Sequence, residues 1–194
     1  MAMDSLKDLI MKFKETRDVD SWVEYCKKQK NLSSLITIAA IAENEEKKRH
    51  PHQYRRNKET LKKLGEEILK ALKKKKITHI DHLKIQFTNF DKLLTFIEKV
   101  GNQIYDIGKL TIYDTAHRIA ESINIPLEKI YLHSGTKVGA EELSQKELKV
   151  DFILPKDLPE ELQNLSCVEL ENFLCIYKNE LKKASASTPK KKRC

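Results

Sequence analysis

The chain has 194 residues, with 37 Lys and Arg against 29 Asp and Glu and a formal net charge of +8. That length can bury one sizeable core, and 40% hydrophobic with 34% charged residues fits a mainly helical globular chain rather than a disordered or fibrous one. The longest apolar stretch, Leu35 to Ala42, is too short to span a bilayer, and Cys26, Cys167, Cys175 and Cys194 have no CxxC spacing, which argues against a disulfide framework or a structural zinc site.

Apolar residues at helical spacing predict helices over 4–15, 19–29, 32–47, 57–75, 89–105, 111–123, 138–144 and 167–183. The first segment, MAMDSLKDLIMKF, is amphipathic but lacks the apolar core and small-residue cleavage site of a secretory signal, so a cytoplasmic protein is expected. Between the third and fourth helices runs Arg49-His50-Pro51-His52-Gln53-Tyr54-Arg55-Arg56. Read for function, Arg55 and Arg56 fork onto phosphate and Tyr54 stacks on a base. The alternative is an ordinary connector. His50 and His52 form an HxH pair with no Cys, Asp or Glu beside it, so no metal set and no cofactor is assigned.

Charge is segregated along the chain. From Glu46 to Ile77 there are 13 Lys or Arg against 4 Glu, a local +9, which makes Lys73, Lys74 and Lys75 candidates for polyanion contact. A solvated helix face, or cations favoured by a helix C-terminus, would read the same way.

Four of the five glycines fall between Gly101 and Gly139. A helix ending near Ile104, the interruption Asp106-Ile107-Gly108 and a second helix opened by a Thr111-to-Asp114 capping box give a helix, tight turn and helix. Backbone N–H groups at such a turn can bind phosphate, which adds Gly108, Lys109 and Thr111 to the candidates. Further on, Ser134-Gly135-Thr136-Lys137 reads as a second anion-facing opening, with Thr136 capping a helix that begins at Lys137. It lacks the spacing of a P-loop. Lys149 to Leu154 is expected as a short strand or an extended link, and Ser166 with Glu169 as a capping box.

The strings HPHQYRR, IGKLTIYDTAHRI, IYLHSGT and FLCIYKNEL resemble a family of small uncharacterised, mainly bacterial proteins, over about residues 35 to 180. The segment near 93–133 separately resembles the helix-hairpin-helix DNA-binding proteins, among them DNA glycosylases. That likeness implies phosphate binding at the turn and, in the glycosylases, a lysine nucleophile two residues after the second hairpin glycine and an aspartate about twenty residues after it. Here those positions hold Leu110 and Glu128, and Lys109 is one residue out of register. Lys109, Glu128 and His133 are the residues that a glycosylase or lyase would use.

The expectation is thus an all-α, compact multi-helix domain over 1–183, with a disordered basic tail over 184–194. The expected function is nucleic-acid binding through the phosphate backbone, DNA ahead of RNA, with no membrane association. The alternatives are a divergent glycosylase and a helical subunit that meets a protein partner. Pro189 to Arg193 reads as a nuclear import signal in a eukaryotic source or as a basic arm in a bacterium.

Overall fold

A computed structural model describes residues 5–17 and 19–186. Its helices are α1 (Leu6–Thr16), α2 (Ser21–Lys27), α3 (Leu32–Ile41), α4 (Lys58–Lys74), α5 (Ile80–Gln86), α6 (Phe90–Gly101), α7 (Lys109–Ser122), α8 (Ser134–Ser144), α9 (Cys167–Ile176) and α10 (Lys178–Ala186). The only strands among the described residues, β1 (Ile130–Tyr131) and β2 (Phe152–Ile153), pair antiparallel with Ile130 opposite Ile153. The all-α expectation therefore holds. No helix of the described residues is long and apolar enough to cross a membrane. Contacts divide the chain into two compact units, one from its two ends (Met1–Asp18 with Leu127–Cys194) and one from Val19–Pro126.

In the unit made of the two ends, α1 is opened by a Ser5/Asp8 capping box and buries Leu9, Ile10 and Phe13. The Phe13 ring meets the edge of Phe173 at 5.7 Å. The Ser166/Glu169 capping box opens α9 as expected, and Leu170, Phe173 and Leu174 are buried on its inner face. Helices α8 and α9 pack tightly because Gly139 faces the Leu174 carbonyl with no side chain between them. The expected 167–183 helix is broken at Tyr177 into α9 and α10. Because α10 reaches Ala186, residues 184–186 are helical rather than tail, and Pro189 to Arg193 lie outside the described residues.

In the Val19–Pro126 unit, side-chain caps fix the helix starts, with Asp20 on the N–H groups of Trp22 and Val23, Asn31 on Ser34 and Asn89 on Lys92. Helix α3 ends at Ile41, six residues before the expected position 47, and its C-cap Ala42, with a φ of 57°, turns the chain into the left-handed region. Helix α5 was not foreseen. Buried Leu61, Leu64, Ile68 and Leu72 on α4 share the core with Leu93 and Ile97 on α6 and with Ile112, Ala116 and Ile119 on α7.

None of the glycines has positive φ; that conformation falls on Ala42, Lys47, Lys76, Asp106, Asn124 and Gln145 among the described residues. Close approach is what glycine provides in this fold. A methyl group at Gly139 would stand 2.7 Å from the Leu174 carbonyl carbon, whereas one at Gly65, within α4, would make ordinary contacts at 3.4–3.6 Å. Gly139→Ala is accordingly expected to destabilise by about 3 kcal/mol or more. Gly65→Ala should stabilise by roughly 0.5–1 kcal/mol through helix propensity and reduced unfolded-state entropy. Paired denaturant melts check both signs.

Candidate functional site

Three features of the Val19–Pro126 unit carry chemistry. The first is the turn between α6 and α7. Asp106 takes the left-handed conformation there, φ 67°, and Gly108 is the N-cap of α7 with an extended φ of −94°. The expected Thr111/Asp114 capping box is absent, because the helix starts two residues earlier, at Lys109. Thr111 is buried within α7, where its carbonyl accepts a hydrogen bond from the Thr115 hydroxyl at 2.7 Å. The Thr111 hydroxyl is therefore out of reach of a phosphate at the surface. Arg56, brought from the connector, pairs with the Asp106 carboxylate, and its Nη2 would lie 3.3 Å from a methyl group on Gly108. Two of the candidate phosphate contacts, Arg56 and Gly108, are thus neighbours, with Asp106 occupying the guanidinium. Lys109 and Arg55 are exposed. Tyr54 is 58% exposed under the Arg49 guanidinium, which also donates to the carbonyls of Tyr54 and Arg56.

The second feature is a groove of about 1120 Å³ between α4 and α6. Its rim carries Lys63, Lys70, Lys73, Lys74 and Lys75 from α4 and Lys92 and Lys99 from α6, against the two carboxylates Glu67 and Asp91. The Phe87 and Phe96 rings, 5.1 Å apart, and Ile104 give it an apolar floor. Lys70 pairs with Glu67 at 2.7 Å, and Lys92 donates to the Thr88 hydroxyl. Among the described residues Lys63, Lys73, Lys74, Lys75 and Lys99 form no ion pair. Gln103 and Ile104, which lead into the Asp106 turn, also line the groove.

The third feature is a polar cluster that sequence spacing did not reveal. The connector folds back through hydrogen bonds from His50 N–H to the Ala42 carbonyl and from Lys48 N–H to the Asn44 side chain. Pro51 then starts a 3₁₀ turn, Pro51–Gln53, capped by the His50 Nδ1 accepting from the His52 N–H. This turn delivers His52 Nδ1 to 3.0 Å and Gln53 Nε2 to 2.9 Å from Asp114 Oδ2 on α7. Arg118, one helical turn on, reaches the same oxygen at 3.8 Å and donates to the Ala39 carbonyl at 3.2 Å and to Gln53 Oε1 at 3.4 Å. Trp22 closes the cluster with its ring 4.7 Å from His50 and its indole N–H on the Lys48 carbonyl.

Burial opposes ionisation of Asp114, but the His52 hydrogen bond, the Arg118 charge and the Gln53 hydrogen bond outweigh it and hold the carboxyl at about 2. The two histidines are pushed apart. Burial, reinforced by Arg118, lowers His50 to about 4, while the hydrogen bond to Asp114 raises His52 above its ordinary value. His117, stacked on Tyr113, is driven down by burial, and its Nε2 has no hydrogen bond among the described residues.

The other candidates lie in the unit made of the two chain ends. Helix α8 begins at Ser134 with His133 as N-cap, so the expected Thr136 cap is absent. Thr136 is buried with its hydroxyl on the Glu171 carbonyl, and Lys137 lies 3.8 Å from Glu141. Glu128 is exposed and His133 half-buried there. No family model, no curated protein and no solved structure matches the chain.

The opposite shifts of His50 and His52 are directly measurable. In metal-free protein followed by imidazole NMR, His52 should titrate above 6.5 and His50 near 4. Asp114→Asn should bring His52 down to or below its ordinary value. In stability terms, His50 contributes above pH 6.5 and loses that contribution as pH falls toward 4, and His52 contributes below pH 6.5 and loses it as pH rises through its folded value.

Proposed function

We propose that this chain binds nucleic acid, duplex DNA ahead of RNA, by seating the phosphate backbone along the lysine-rimmed groove between α4 and α6. The observation that carries this reading is the rim itself, with seven lysines facing two carboxylates and five of them without an ion pair among the described residues. A surface that served only for solubility would intersperse the signs, and cations already held by carboxylates would have little charge left for phosphate. The N–H groups that open α7 add a second phosphate contact of helix-hairpin-helix kind, beside an Arg56 guanidinium that Asp106 holds in the absence of ligand. Binding of this type is sequence-neutral and salt-sensitive.

A second reading is supported by the groove's floor. Phe87, Phe96 and Ile104 beneath a basic rim would also suit an acidic amphipathic segment of a protein partner. No observation among the described residues favours the glycosylase reading.

Fluorescence anisotropy with a short duplex across a salt series tests the proposal. Each neutralised phosphate releases roughly 0.9 counterion, so changing Lys73, Lys74 and Lys75 together to Ala should reduce the slope of log K against log salt by about 3. An unchanged slope would remove the groove from the interface. Asp106→Asn is a complementary test. Asparagine tolerates the left-handed conformation of this position, while loss of the carboxylate frees Arg56 for phosphate. The variant should bind duplex more tightly, by about threefold to tenfold at low salt, which corresponds to one charged hydrogen-bonding group made available at the surface. Weaker binding by the folded variant would contradict the role given to Arg56.

A further inference from the structure

The polar cluster on α7 does more than close a core. His50 and His52 come from one 3₁₀ turn, and Asp114, 62 residues after His52, comes from α7. A ring nitrogen of each histidine and a carboxylate oxygen of Asp114 all lie within 4.8 Å of one another. We infer that His50, His52 and Asp114 form a binding site for a divalent transition metal of the zinc type, with water completing the coordination.

Donor chemistry supports this choice. Two imidazoles and one carboxylate are a borderline set that suits Zn²⁺ and Co²⁺, whereas Mg²⁺ and Ca²⁺ prefer oxygen alone. The three donors are already gathered. With metal–ligand bonds of about 2.0–2.2 Å, tetrahedral donors stand roughly 3.3 Å apart, so the widest separation has to close by about 1.5 Å at most. His52 Nδ1 and Asp114 Oδ2 already stand 3.0 Å apart, and the His52 side chain, 49% exposed, can shift with the metal as the set closes around it. The metal would displace the proton that His52 Nδ1 and Asp114 Oδ2 share at 3.0 Å.

The supporting shell is in place as well. Gln53 Nε2 donates to Asp114 Oδ2 at 2.9 Å and fixes the carboxylate, the role that outer-shell donors play in metal sites. The Trp22 ring fixes the His50 imidazole from its other side at 4.7 Å. All the protein contacts of Asp114 among the described residues fall on Oδ2, so Oδ1 remains for a ligand. Arg118 works against affinity by drawing charge from the same carboxylate, which leaves a site of moderate strength with an uncompensated positive charge when the metal is bound.

The test uses the full chain stripped of metal with EDTA, and needs no nucleic acid. Titration with Co²⁺ followed by visible absorption, and with Zn²⁺ by calorimetry, should each show one equivalent bound. His52→Ala removes a half-exposed side chain and leaves the core intact, and it should weaken binding by about tenfold or more. Asp114→Asn should do the same, with circular dichroism confirming its fold. The exposed pair His79 and His82, whose rings lie 5.5 Å apart at the start of α5, is the competing surface chelate; changing both to Ala should leave the binding unchanged. Absence of a one-equivalent site, binding unaltered by His52→Ala, or binding lost with His79 and His82 would each overturn the inference.

Discussion

A guanidinium cannot be taken out of water without acceptors, and Arg118, only 3% exposed, finds its own on three separate elements. Its partners are the Ala39 carbonyl in α3, Gln53 in the 3₁₀ turn and Asp114 on its own helix. Gln53 is fully buried and is satisfied at both ends, accepting from Arg118 and donating to Asp114. The connector between α3 and α4 therefore has little freedom. Its path is dictated by a buried charge pair that would be left unmatched in any other arrangement, and that path places His50, His52 and Arg56 where they are.

This constraint separates two kinds of charge in the same unit. Inside, ionised groups are matched atom to atom, and their proton affinities move accordingly, Asp114 down and His52 up. On the α4 surface the ion pairs include exposed i,i+3 pairs, Lys62 with Glu59 and Lys70 with Glu67. Pairs this exposed are worth only about 0.2–1 kcal/mol, so stability has little claim on the lysines around the groove. Their concentration there is more economically explained by a ligand than by the fold.

Much of the helical fold could be read from the chain because local chemistry announces it. The Ser166/Glu169 capping box and the apolar period of α4 and α6 predict elements that the structure contains. Thr111 with Asp114 shows the limit of such signals, since the same spacing occurs inside a helix, where Thr111 is buried and Asp114 is engaged by the 3₁₀ turn. Helix α5 has seven residues with Leu83 alone fully buried, too short for a period to register. The end of α3 at Ala42 carried no sign either, because alanine is not a residue that marks a left-handed cap. The cluster was half visible. The HxH pair stood out, but the partner that gives it meaning lies 62 residues from His52 and is identified only by the fold.

The central claim is that the groove between α4 and α6 is where nucleic acid binds. Amide chemical-shift mapping of the labelled full chain with a short DNA duplex at low salt locates the interface residue by residue. The account predicts saturable shifts concentrated at 63–75 and 86–104, extending into the turn at 106–109. Shifts confined to residues 127–182, or none at all on adding duplex, would contradict it.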